Sequence, residues 1–525
     1  MRRREVLVAA AWVTLVYVAA VGVFSWLSRQ TGPALAELPT LSAVESASAL
    51  VKRVASKGLS ELWLPEHRAT LDSGLLVVAG AWSKLSLGRV GVVDPLTAMR
   101  LPWILIGALA PLSLYLMLAP SRGKLVALAA ALSCLSLPRF GHAVVVGSEA
   151  ALVSALGCFV LAAHVRALGP ARGGEPGGRA TLGWAFAGAL ALGLGASLSL
   201  GVLWVAALVA LHFVWARRAG LRGWLRRGRF PLPALLFVAL PIAPLVVIAL
   251  RPGLWKASPA VIARFFLAPL ETSIVRADFA GRVVDGLPVP GAFAPVWLVH
   301  TLPLTFVLLG LAGVLALGHE TLARRFASGS LRPPADRHAV GALALLGLCF
   351  GLFGPALTPD VLTTFPPRVE LMLPFVAIVA AIGLGRLASL ARLGRALVAV
   401  TLGALLLVAL TGAPTASASA SPLTGSARLI AARRLLPAAD GSELAALASA
   451  IDALGRPALT LSAPPEVSPE LWRVLAETRR MRTRVTPGGG GELVLARGAQ
   501  PSGQRIAQVR RDGAVLWTLS GPATR

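Results

Sequence analysis

Apolar residues in this chain run in long, nearly unbroken blocks, not at the alternating or three-to-four-residue spacing of soluble strands and helices. The blocks lie near residues 5–27, 98–118, 123–138, 147–167, 181–196, 199–216, 231–250, 296–317, 338–354, 370–387 and 393–412. They approach or reach the ~20 residues that a helix needs to cross a hydrocarbon layer about 30 Å thick. Eleven membrane helices are therefore predicted. The first block follows Met1, Arg2, Arg3 and Arg4, is longer than a signal-peptide core and is closed by no clear small-x-small cleavage site, so it reads as a retained helix.

The pattern changes after residue 412. A low-complexity run from Ala416 to Ser421 opens a stretch of ordinary polar composition. This divides the chain into a multi-helix membrane domain (1–412, with outer connections 28–97 and 251–295), a linker (413–425) and a soluble domain (426–525). In the last, Ser442–Leu454 and Pro469–Thr478 have helical spacing, while Pro457–Ser462, Glu492–Arg497 and Ala514–Leu519 read as strands. The fold class expected is an α-helical polytopic membrane protein of about eleven transmembrane helices with a small C-terminal α/β extracytoplasmic domain.

Composition agrees with a lipid solvent: 56% of the 525 residues are hydrophobic and 14% charged, with a mean hydropathy of +0.74. One soluble core does not absorb that much apolar surface. The formal net charge of +26 raises nucleic acid as a partner, but the Arg and Lys residues sit in short runs between apolar blocks and not on one folded face, which excludes it. Those runs set orientation instead. With the N-terminus in the cytoplasm, every inner connection is basic: Arg122 and Lys124; Arg166, Arg172 and Arg179; the run Arg217 to Arg229; Arg324 to Arg337; and Arg386 to Arg395. The C-terminal domain then lies outside. Cys134, Cys158 and Cys349 lie far apart in apolar stretches and predict neither a disulfide framework nor a metal site.

Polar residues that this bias does not explain gather on the outer side, among them Glu45, Glu66, His67, Asp72, His142, Glu149, Arg139, Lys256, Arg276 and Arg368. Glu149 lies near the outer end of the apolar stretch Val144–Ala163, where an ionisable group costs a few kcal/mol unless it is paired or hydrated. It either faces a polar cavity or reaches water at the helix end. Leu41–Val54 places Val44, Ala47, Leu50, Val51 and Val54 on one side of a short helix suited to the membrane surface, with Glu45 at that surface. A carboxylate there is either a solvated side chain or a base able to deprotonate an acceptor beside a lipid-borne electrophile. No ligand spacing supports a divalent-metal site, although convergence of Glu45, His67 and Glu149 leaves one open in principle.

A series of landmarks falls in an order that resembles the membrane-embedded C-type glycosyltransferases using polyprenyl-phosphate sugars, the group of aminoarabinose transferases and protein O-mannosyltransferases. They are Val44-Glu45-Ser46-Ala47 after the first helix; Leu64 to Arg68; Gly88 to Asp94 leading into Ala98-Met99-Arg100-Leu101-Pro102; and Pro138 to Ala163. Further on come Pro252 to Trp255, Phe265-Phe266, Leu302-Pro303, Phe365 to Pro374, and Arg511 to Trp517. The likeness covers nearly the whole chain and rests on collinearity, since each motif alone is degenerate.

The resemblance implies sugar transfer by direct displacement at the outer face of a bacterial inner membrane, to a lipid, glycan or protein acceptor. It makes Glu45 the base, with Glu149 a second catalytic candidate. Arg368 first, then Arg276, Lys256 and Arg139, would hold the donor phosphate, and membrane lipids would be the remaining partners. The family commonly carries Asp-Glu where this chain has Val44-Glu45. Either Glu45 serves alone, or another residue such as Glu66 or Asp72 replaces the missing acid, or the scaffold has lost activity. The rival classes are a noncatalytic scaffold and a secondary transporter. The latter wants ionisable groups at mid-membrane depth and Gly/Pro-broken helices at matching places in two halves.

The predicted orientation is checked by fusing alkaline phosphatase, which is active only outside the cytoplasm, after chosen residues. Fusions after Arg172 and Arg227 are expected to be inactive and one after Ser421 active; the opposite pattern inverts the topology.

Overall fold

The structure, a computed structural model, describes residues 2–31, 49, 52–53, 56, 82, 95–168, 179–226, 233–251, 254–255, 257–267, 276–279, 282–285, 293–327, 337–357, 372–389, 391–411, 445–462, 472, 481, 483–487, 493–497, 505–511 and 514–521. In chain order the helices of the first part are α1 (Arg2–Gln30), α2 (Pro95–Gly107), α3 (Leu109–Arg122), α4 (Lys124–Leu135), α5 (Pro138–Val145), α6 (Glu149–Leu168), α7 (Arg179–Leu198), α8 (Leu203–Arg226), α9 (Ala234–Leu250) and α10 (Pro259–Leu267). A hairpin, β1 (Arg276–Phe279) and β2 (Arg282–Asp285), separates these from α11 (Phe293–Thr301), α12 (Leu304–Ala327), α13 (Arg337–Leu357), α14 (Leu373–Ala388) and α15 (Ala391–Thr411).

Each of the eleven apolar blocks carries helix. Among the described residues, four stretches are long and apolar enough to cross a membrane alone: Leu7–Gln30, Leu96–Arg122, Glu149–Leu168 and Ala180–Leu198. The pair α4 and α5 qualifies only jointly and is bent by 66°. Shorter apolar helices include Ala234–Leu250, Leu304–Glu320 and Leu373–Ala388. The core of the bundle is built from residues such as Phe24, Leu114, Phe140, Val160, Phe306 and Phe375, all of them buried. Large apolar side chains also cover the outside, with Leu315 72% and Val400 69% exposed. Such surface is stable only against hydrocarbon or another apolar partner.

Two predicted boundaries are corrected. The block 123–138 is not one straight span. Pro138, at the start of α5, has no N–H to continue the ladder, and Leu137 before it is extended (φ −82°, ψ 103°), so α4 stops and the chain turns. The connection expected at 139–146 is therefore itself the helix α5. The second correction is to Val144–Ala163, which is broken at 146–148, so α6 begins at Glu149.

At the opposite end of the bundle, where the predicted inner connections lie, three helices meet on one carboxylate. Arg122 of α3 donates from both terminal nitrogens to the two oxygens of Glu320 on α12, each at 3.0 Å. Arg386 of α14 donates to the same carboxylate. The Arg122 and Glu320 side chains keep only 10% and 14% of their exposure.

In the C-terminal part, α16 (Ala445–Asp452) accompanies a five-stranded sheet of β3 (Ala458–Ser462), β4 (Arg484–Pro487), β5 (Leu493–Arg497), β6 (Arg505–Arg511) and β7 (Ala514–Ser520). The strand order is β4-β3-β5-β7-β6, with β3 parallel to both neighbours and β7 antiparallel to both of its own. Strands β3, β5 and β7 match the predicted ones. Strands β4 and β6 were not expected, because Arg484, Arg505, Arg510 and Arg511 give them the composition of an exposed segment. The predicted helix 469–478 lies outside the described residues apart from the buried Trp472.

Substituting Glu320 by Ala leaves two guanidiniums without their shared counter-ion, at a cost on the order of 3 kcal/mol. A thermal-unfolding scan in detergent is expected to show a clearly lower midpoint for Glu320→Ala and a smaller fall for Glu320→Asp. An unchanged midpoint would remove the three-helix tie.

Candidate functional site

The end of the bundle predicted to face outward is organised around the place where α1 finishes and α2 begins. The last carbonyls of a helix have no intrahelical partner and carry the negative end of its dipole. At the end of α1 they receive Arg100, in the second turn of α2, whose Nη1 donates to Ser28 O at 3.2 Å and to Thr31 O, just past the helix, at 3.0 Å. Ser28 Oγ and Thr97 Oγ1 share a hydrogen bond of 3.0 Å beside it, and Thr31 Oγ1 donates to Leu27 O at 2.8 Å. Deeper in the seam, the Tyr17 hydroxyl donates to Leu105 O at 3.1 Å. Arg100 is fully buried. A guanidinium so placed needs polar partners within the protein, and these two carbonyls are among them.

Helices α5 and α6 close against the same end. Val146 ends α5, and Gly147 follows in the left-handed region at φ 71°. Gly147 N–H donates to Val144 O (3.1 Å) and Ser148 N–H to Ala143 O (2.8 Å), the paired bonds of a Schellman cap. Ser148 O then accepts from Leu152 N–H, starting α6. The sequence folds this way because glycine alone takes that φ without strain. Its position is also crowded, since a Cβ on Gly147 would lie 3.0 Å from the Trp103 ring. Trp103 packs with Leu152 of α6, and Leu198 at the end of α7 joins them. On the other side, a Cβ on Gly141 would lie 3.0 Å from Leu27 of α1.

A second cation clamp sits at the end of α7. Arg251, which follows α9, donates to Ser197 O from Nε (3.1 Å) and Nη2 (2.8 Å), and its guanidinium carbon lies 4.7 Å from the centre of the Phe265 ring on α10. Trp255 Nε1 donates to Ile248 O at 2.7 Å. The landmark residues Trp255, Phe265 and Phe266 thus belong to this junction.

The predicted site residues divide as follows. Arg139 and His142 both lie on α5, Arg139 half-buried and His142 buried. Glu149 is exposed in the first turn of α6, where a carboxylate suits the positive end of the helix and reaches water. All three lie on α5 or the first turn of α6, and α5 and its cap close against α1 and α2 at Gly141 and Gly147. Arg276 opens β1, away from that junction in sequence. Glu45, Glu66, His67, Asp72, Lys256 and Arg368 lie outside the described residues. Of the surface segment 41–54, Ala49, Lys52 and Arg53 are described, all helical and exposed. No group of three or more His, Cys, Asp or Glu gathers as metal ligands among the described residues.

Sequence reasoning missed Arg100 and Arg251 as individual residues. It also missed a buried pair, His164 on α6 and His212 on α8, whose Nε2 and Nδ1 are 3.1 Å apart, one ring donating to the other. His212 stacks near Trp215, with ring centres 6.2 Å apart. The available signal was the same for all: an ionisable residue inside or at the edge of an apolar block. The pair lies towards the inner end of α6, four residues before its last, and serves as an interhelical hydrogen bond.

Gly147→Ala is expected to strain the cap and press on Trp103, costing about 1–3 kcal/mol. A thermal midpoint in detergent equal to that of the native protein would overturn the packing described.

No family model matches the chain, and no curated protein does. Solved structures do. ArnT from Cupriavidus metallidurans in the apo state is similar with a TM-score of 0.46 and 16% identity, over 98% of this chain and 100% of that one. The same protein bound to undecaprenyl phosphate gives 0.42 and 14%, over 98% and 100%. The Archaeoglobus fulgidus oligosaccharyltransferase in the apo form gives 0.45 and 13%, over 91% of this chain and 64% of that one. These neighbours are C-type glycosyltransferases, the group the sequence landmarks resemble. With TM-scores below 0.5, the likeness carries no weight for reaction, donor or acceptor.

Proposed function

We propose that the chain transfers a sugar from a polyprenyl-phosphate donor to an acceptor at the outer face of a bacterial inner membrane. The observation that carries this reading is the junction at the end of α1. The landmark Ala98 to Pro102 supplies the buried Arg100 that pins that end, and Arg139, His142 and Glu149 lie around the same junction. Between Thr31 and Pro95 runs the connection that carries Glu45, Glu66, His67 and Asp72. On this reading the polar residues of that connection work where a lipid-borne donor meets water.

In the proposed reaction Glu45 takes the proton from an acceptor hydroxyl or amine. The acceptor atom bonds to the anomeric carbon as the carbon–oxygen bond to phosphate breaks, and the polyprenyl phosphate leaves with that electron pair. Arg368, with Arg276, Lys256 and Arg139 as further candidates, stabilises the charge that grows on the phosphate, because a guanidinium offers two parallel donors to it. Val44, in the place of the family's usual Asp, favours the second reading, a noncatalytic scaffold that has kept the fold. The buried His pair is set towards the inner end of α6 and does not form the mid-membrane path that a secondary transporter requires.

The test is transfer of labelled sugar from polyprenyl phosphate in membranes containing the native protein or Glu45→Gln, with folding of both verified. Native protein is expected to transfer and the variant to lose at least about a hundredfold, within the range of a general base. Equal transfer by both would show that Glu45 is not the base, and no transfer by either, across many donors and acceptors, would favour the scaffold.

A further inference from the structure

We infer that Arg100 is a positioning residue, holding the outer end of α1 on the first turns of α2 and thereby fixing both ends of the connection from 32 to 94. Its kinetic consequence rests on the transferase reading above; its structural consequence does not.

Four observations converge on it. Arg100 is fully buried, so it makes its contacts inside the protein and not with bulk water. Its Nη1 reaches two carbonyls at the end of α1 at once, Ser28 O in the last turn and Thr31 O just after it. Thr31 is the last described residue before the connection and Pro95 the first of α2 after it. Beside the guanidinium, Ser28 Oγ and Thr97 Oγ1 are 3.0 Å apart, so the two chain ends touch at this point. A long connection with free ends samples many placements, and fixing the ends removes much of that freedom. A reacting group carried on it is sensitive, since a displacement of about 1 Å can cost about a hundredfold in rate.

The guanidinium suits the task better than an ammonium. Its donors lie in one plane and can meet carbonyls that point the same way, while a lysine brings a single mobile charge. In an apolar surround the interaction with the negative end of α1 is weakly screened.

The experiment uses the full-length protein with a cysteine pair, Ser28→Cys and Thr97→Cys, whose side chains replace two hydroxyls in contact. Disulfide formation under mild oxidant is followed by mass spectrometry with Arg100, Arg100→Lys or Arg100→Gln. The bond is expected to form at least about tenfold faster with Arg100 than with Gln, the factor expected of one lost contact of ordinary strength. Equal rates overturn the proposal. Sugar transfer supplies the second readout. Arg100→Gln is expected to lower kcat by about ten- to a hundredfold with donor KM within about threefold, and Arg100→Lys to fall between it and the native protein. Closing the disulfide in the Arg100→Gln background is expected to restore most of the lost rate. A linked variant that stays slow, or an unlinked Arg100→Gln with native kcat, overturns the proposal. If Arg100→Gln does not fold, the same comparisons are made with Arg100→Lys, and native values in both readouts overturn it. Glu45→Gln runs in parallel: full activity there removes the carboxylate base, while the disulfide rates still decide the clamp.

Discussion

Hydrocarbon gives a backbone N–H or C=O nothing to bond, so a helix that ends inside or beside it must find partners for its last carbonyls within the protein. Much of the architecture follows from how this chain meets that demand. Arg100 reaches the end of α1, and Arg251 the end of α7. The end of α5 is closed by its own Schellman bonds through Gly147. Arg166 serves a carbonyl within the body of the fold, donating from Nε to Leu116 O of α3 at 3.0 Å. Because each arginine comes from a different helix than the carbonyl it meets, satisfying the backbone also joins the helices.

This explains which parts of the molecule were legible in the sequence. The helices themselves were, since eleven blocks of apolar residues admit little else in lipid, and so were β3, β5 and β7, which are short apolar runs in a polar stretch. The breaks inside the blocks were harder. Pro138 is a visible breaker, yet proline is tolerated inside α2, α3 and α9, at Pro102, Pro120, Pro241 and Pro244, so its presence alone does not mark a bend. At Gly147 the deciding fact is a tryptophan more than forty residues away. Hydropathy carries no information of that kind.

The site was legible as a side of the membrane and less so as residues. The positive-inside bias and the leftover acids point to the outer face, and of the residues they single out Arg139 and His142 lie on α5 and Glu149 at the start of α6. Glu149 was weighted by the cost of a charge inside an apolar helix, but the helix starts at that residue, and the cost vanishes when the side chain reaches water. Arg100 was read only as part of a short motif. Its importance is a property of the two carbonyls it meets, which lie 72 and 69 residues earlier in the chain.

The two ends of the bundle are held by different chemistry, and the difference bears on function. At the inner end the tie is ionic, with Glu320 shared between Arg122 and Arg386, and an ionic tie weakens if its carboxylate is protonated or its charges are screened. At the outer end the clamps of Arg100 and Arg251 include backbone carbonyls and a ring face as acceptors, and neither kind of group titrates. The carbonyls and the ring that receive Arg100 and Arg251 keep their charge as pH changes, whereas the Glu320 carboxylate does not, so the two ends of the bundle respond differently to pH.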